Sequence, residues 1–146
     1  MTEEFEKHFT LGEAEQTRRE VEPLLMEAME GRRRMSELEK NLGELATRIM
    51  MTGGMLVSVG DAARLRGERE HLVRVIQSAL EQIQATGCVV KDLEVGLLDF
   101  PAMLNNQEVF LCWRIGEDRI RFYHNVDEGF AGRKLLDPRD PGSPIQ

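Results

Sequence analysis

Residues 10–52 read TLGEAEQTRREVEPLLMEAMEGRRRMSELEKNLGELATRIMMT, and this stretch decides the fold. Thr10 and Glu13 stand at capping-box spacing. A hydroxyl there accepts from a backbone N–H while a carboxylate reaches back to the cap. Phe9 precedes the cap, where a staple residue packs. From Thr10 the apolar residues fall in a seven-residue rhythm. One seam carries Ala14, Val21, Ala28, Met35, Leu42 and Ile49; the other carries Thr17, Leu24, Gly31, Leu38 and Leu45. Such a pattern predicts a long helix packed in coiled-coil fashion on a partner helix. Ala28 and Gly31 are small enough for a close approach of backbones. Pro23 removes the bond to the Arg19 carbonyl and predicts a bend near residues 19–23.

Outward from this helix, Gly53-Gly54 ends it and residues 55–60, MLVSVG, form a connection unusually apolar for a loop. It is expected to fold back on the helix end or to touch another subunit. Asp61 is the expected cap of a second helix that runs to about Ala85, with Gly87 as its stop. Its stripe is Ala62, Leu65, Leu72, Ile76, Ala79 and Ile83, interrupted by Arg69 at an edge. At about 1.5 Å per residue the first helix spans roughly 60 Å and the second nearly 40 Å. One hairpin cannot cover both seams. Either the first helix breaks, or its surplus seam packs on a second copy, and a homodimer through the helices is the expectation.

After Gly87 the period switches to two. Short strands are expected at residues 88–90 and 97–102, the latter pushed toward an edge by Pro101. Asn105-Asn106 suits a tight turn, because Asn tolerates positive φ. Residues 109–115 are apolar on both faces and predict a central strand. Residues 116–118 turn the chain, and residues 119–124 return with Ile120, Phe122 and His124 on one face. The expected fold is therefore α+β: a long antiparallel helical hairpin over residues 10–86, then a small antiparallel β-meander over about 88–126 packed on it. A glycine-containing loop at 127–134 completes a single domain over residues 1–136. Residues 137–146, rich in proline, read as a flexible tail.

Composition narrows the function classes. The chain has 146 residues, 41% hydrophobic and 31% charged, which fits one domain. A net charge of −7 argues against nucleic acid or an anionic membrane as partner. The run Arg32-Arg33-Arg34 lies among Glu27, Glu30, Glu37 and Glu39 and reads as a solvated helix face. No stretch has the length of a membrane span, and the acidic N-terminus does not resemble a signal peptide, so a cytoplasmic location is expected. Cys88 and Cys112 sit in apolar strand-like stretches and are expected as buried thiols rather than a disulfide or a ligand pair.

Residues 123–134, YHNVDEGFAGRK, hold the densest set of chemically capable groups. His124 can serve as acid, base or ligand near neutral pH. Asp127 is close enough in sequence to orient its imidazole. Gly129 and Gly132 let backbone N–H groups face an anion, and Arg133 can fork onto a carboxylate or phosphate. Asp92 and Asp99 lie upstream in the first strands. Convergence of Asp92 or Asp99 with His124, Asp127 and Arg133 would make a ligand-binding site. A small anion is the ligand it would take, and a divalent metal held by His124 and Asp127, with Asp99, is the cofactor it would admit. The same groups fit a structural network, with His124 in the core bonded to Asp127 and Arg133 bridging Asp99 or Asp127. No nucleophile elbow, phosphate-cradling lysine loop or dinucleotide fingerprint is present.

Residues 9–14, FTLGEA, residues 90–93, VKDL, residues 96–102, GLLDFPA, residues 111–114, LCWR, and His124 through Arg133 together resemble an uncharacterised bacterial family, domain of unknown function 2203. The resemblance extends to about residue 135. It implies a bacterial source and a complete family member. It marks Asp92, Asp99, His124, Asp127 and Arg133 as recurring polar positions, and it implies no reaction. Relatives usually carry an Asp-Gly type turn where this chain has Asn105-Asn106. Two functions follow as expectations: a non-enzymatic, self-associating interaction or scaffold protein, or a small-anion or metal-assisted ligand-binding or hydrolytic site at His124, Asp127, Arg133 and Asp99.

Overall fold

A capping box opens the first helix: the Thr10 hydroxyl accepts from the Glu13 N–H, and Glu13 accepts from the Thr10 N–H. Helix α1 then runs over Leu11–Thr52, and α2 over Val59–Ala85. The computed structural model describes residues 7–53 and 59–137. The apolar connection and the proline-rich tail therefore fall largely outside the described residues. α2 starts at Val59, so Asp61 lies inside its first turn and is not the cap that the sequence suggests. α1 is not interrupted at Pro23, which lies on an exposed face.

The two helices pack on each other, as the seams require. Ala14, Thr17, Val21, Ala28, Gly31 and Leu38 of the expected seams are buried, joined by Arg18 and Leu25 from the flank. At Gly31 a side chain has no room: an added Cβ would lie 2.8 Å from Cγ1 of Ile76 on α2. Burial fades along the hairpin. Leu42 and Leu45 are only half-buried, and Ile49 is exposed.

Five strands form one antiparallel sheet in the order β1 (Val89–Asp92), β2 (Leu97–Leu104), β3 (Gln107–Arg114), β4 (Phe122–Asn125) and β5 (Lys134–Leu135). Asn105 and Asn106 have φ of 52° and 62° and make the two-residue turn between β2 and β3. Such a turn matches the twist of the strands that it joins. The glycine-containing segment is less open than a loop. It holds a single 3₁₀ turn, Phe130–Gly132, and then β5 pairs with β4.

Two expectations about strands need correction. β2 is an interior strand despite Pro101. β1 pairs only with the start of β2, at residues 97–99, so Pro101 lies beyond it. The Pro101 carbonyl accepts from the Phe9 N–H, so the missing proline donor faces the N-terminal segment and not β3. The second correction concerns Ile120. It packs with Leu98, Phe100, Leu111 and Trp113 in the helix-side core, whereas Phe122 and His124 take the opposite face. Residues 115–121 are a connection, so the strand alternation starts only at Phe122.

The sheet thus has two buried faces. Leu98, Phe100, Ala102, Val109, Leu111 and Trp113 meet Ala14, Val21 and Leu25 of α1 and Ile83 of α2. Arg18 ties α1 to the β3–β4 connection by donating to the Asp118 carbonyl, and the Ile120 N–H donates to the Glu15 carboxylate. The far face carries Asp99, Pro101, Phe110, Cys112, Phe122 and His124.

Candidate functional site

Strand register gathers the polar groups of the far face. β2–β3 pairing sets Asp99 opposite Cys112. β3–β4 pairing sets Cys112 opposite Phe122 and Phe110 opposite His124, which makes His124 the diagonal neighbour of Cys112. Asp99, Cys112 and His124 are each 1% exposed. Their donor atoms all lie within 4.8 Å of one another.

The imidazole is held at both nitrogens. Nε2 of His124 lies 3.1 Å from Oδ1 of Asp99, and Nδ1 lies 2.9 Å from the Asn125 carbonyl. A carbonyl and a carboxylate both accept, an arrangement that favours the doubly protonated imidazolium over either neutral tautomer. The Asp99 hydrogen bond is the main reason that the His124 pKa is pushed up to about 10, with the Cys112 side chain and the Asn125 carbonyl adding to it against burial. Oδ2 of Asp99 is buried and has no hydrogen-bond partner among the described residues. Cys88 is a different kind of thiol. It sits in the helix-side core, and burial raises its pKa far above the ordinary range.

The other sequence candidates lie elsewhere. Asp92 is exposed, and its Oδ1 accepts from the N–H groups of Glu94 and Val95 at 2.8 and 3.1 Å, which shapes the β1–β2 turn. Asp127 is exposed and makes no hydrogen bond to His124 among the described residues; Asp99 and the Asn125 carbonyl orient the ring. Arg133 is buried, with Nη2 at 2.9 and 3.0 Å from the two carboxylate oxygens of Glu117. Its guanidinium stacks 3.7 Å from the Phe122 ring centre and 4.5 Å from that of Phe130. Of the five residues named from sequence, Asp99 and His124 are the pair that shares a hydrogen bond among the described residues.

Sequence reasoning missed Cys112 and Glu117. Cys112 lies in a run apolar on both faces, and only the register with Asp99 gives it polar neighbours. Glu117 looks like an ordinary turn residue until Arg133 folds onto it. A groove of about 720 Å³ between α1 and the sheet edge is lined by Met26, Met29, Arg33, Leu93 and Ile115 and contains none of these polar candidates.

A family model described as an uncharacterized conserved protein, DUF2203, matches residues 7–136. The chain belongs to the DUF2203 family. The match spans every described element, from the segment before α1 through β5. No curated protein and no solved structure matches the chain. Among the described residues no helix is long and apolar enough to cross a membrane.

Proposed function

We propose that this DUF2203 protein is a non-enzymatic association module whose helical hairpin pairs with a second copy. One observation carries the reading: the apolar seam continues past the last buried layer, Leu38 on α1 and Leu72 on α2, toward an end with no covering element among the described residues. Ile49, Met50, Met51 and Val59 are 43%, 86%, 81% and 82% exposed there. Isolated exposed apolar residues are ordinary, but several gathered at the uncovered end of a packed seam favour a protein partner. A coiled-coil bundle of two hairpins would cover it, and a closed twofold arrangement is the simplest assembly.

A second reading, a small-anion or metal-assisted hydrolytic site at His124, Asp127, Arg133 and Asp99, rests on the His124–Asp99 contact. Nη2 of Arg133 already donates to both oxygens of the Glu117 carboxylate, and neither Arg133 nor Asp127 hydrogen-bonds to the Asp99–His124 pair among the described residues. This weighs toward the association reading.

Light scattering on wild type and on Met50→Glu/Met51→Glu tests the proposal. Both side chains are exposed in one copy, so the variant keeps its fold. Wild type is expected as a dimer at micromolar concentration and the double variant as a monomer. A monomeric wild type overturns it.

A further inference from the structure

We propose that Asp99, Cys112 and His124 form a site for a divalent transition metal of the zinc type. The three residues come from β2, β3 and β4 and present a carboxylate oxygen, a thiol sulfur and an imidazole nitrogen from one sheet face. This mixed oxygen, sulfur and nitrogen set suits zinc and its neighbours, whereas magnesium and calcium prefer oxygen alone. With bond lengths of about 2.0–2.3 Å, two ligands of one zinc ion sit roughly 3–4 Å apart. His124 Nε2 and Asp99 Oδ1 are at 3.1 Å, and all three donor atoms fall within 4.8 Å.

Two further observations point the same way. The Asp99 carboxylate is buried with Oδ2 unpartnered among the described residues, a costly arrangement that an ion relieves. Nδ1 of His124 is already anchored on the Asn125 carbonyl, the outer contact that orients a metal-bound histidine and leaves Nε2 to face the ion.

Charge balances without any new group. As the ion enters, one proton leaves Nε2 of His124 and one leaves Sγ of Cys112. An imidazolium and a carboxylate are replaced by a doubly charged cation with a carboxylate and a thiolate, so the buried site stays neutral. Three protein ligands leave one position of a tetrahedral ion to water.

Cobalt(II) and zinc are the probes, used on the full chain after stripping with a chelator. Cobalt is expected to give a thiolate-to-cobalt charge-transfer band at one equivalent, bleached by zinc, with two protons released per zinc ion bound. His124→Ala removes a buried group and endangers the fold, so Cys112→Ala is the deciding variant, its fold checked by circular dichroism. It should lose the band and weaken zinc binding by at least about 100-fold. Cys88→Ala and Asp127→Ala should keep both. A cobalt spectrum without the band, zinc binding unchanged in folded Cys112→Ala, or loss of binding in Asp127→Ala would each overturn the site. The oligomeric state is no part of the readout, so this test stands apart from the association proposal.

Discussion

His124 shows how one side chain can bind stability to pH. In the metal-free protein its imidazolium faces the Asp99 carboxylate from β2 and the Cys112 side chain from β3, and its charge also reaches Glu128. The folded pKa of about 10 lies above the ordinary 6.5. A raised folded value means that the native state binds the proton more tightly than the unfolded chain. The resulting stability is complete below about pH 6.5, declines as pH rises, and is gone above about pH 10. Urea unfolding of chelator-treated protein should therefore give a midpoint that falls between pH 6.5 and 10. Asp99→Asn removes the carboxylate, so its midpoint should start lower and fall much less across the same window. Parallel curves for the two proteins would rule out the pair as the source. Asp99 and His124 were each recognisable in the sequence as capable groups. Their contact was not, because it depends on two strand registers that span residues 97–125.

At the scale of elements, local rules carried the furthest. Thr10 and Glu13 cap α1 because the motif needs only its own four residues, and Asn105-Asn106 turns the chain because both residues tolerate the left-handed region. Pro101 misled because the partner that excuses it, the Phe9 N–H, comes from the far end of the chain. The β1–β2 turn gives a direct test of backbone and packing together. Gly96 has φ of 78°, and an added Cβ would lie 2.6 Å from Cγ2 of Ile115 and 3.0 Å from Sδ of Met29. Gly116 has φ of 99° but nothing within 4 Å of such a Cβ. Gly116→Ala should cost only the left-handed strain, about 1–2 kcal/mol. Gly96→Ala adds a clash of the new methyl group with Ile115, just past β3, and with Met29 on α1, and should cost about 2–4 kcal/mol. Chemical denaturation of both variants checks the order, and an equal loss would show that Ile115 and Met29 yield freely.

On the scale of the whole molecule, the hairpin is secured at one end only. Near the sheet, α1 is held by the Glu15 contact to the Ile120 N–H, by Arg18 on the Asp118 carbonyl and over the Trp113 ring, and by Val21 and Leu25 in the core. Beyond Leu38 and Leu72 among the described residues, only half-buried seam residues such as Leu42, Leu45 and Leu65 hold α1 to α2. The heptads made the two helices legible, but not where their cover ends, since that depends on how far the sheet reaches along α1. Regions with few buried contacts open well below the global unfolding free energy. Amide hydrogen exchange should thus be slow over residues 14–31 and much faster over 41–52 and 59–68 in dilute protein. If a second copy covers the distal seam, raising the protein concentration about a hundredfold should slow exchange in the distal segments while leaving 14–31 unchanged, because binding stabilises only what it buries. Uniform exchange along both helices would contradict the one-ended attachment. A distal rate indifferent to concentration would leave the attachment intact and count against pairing through this end.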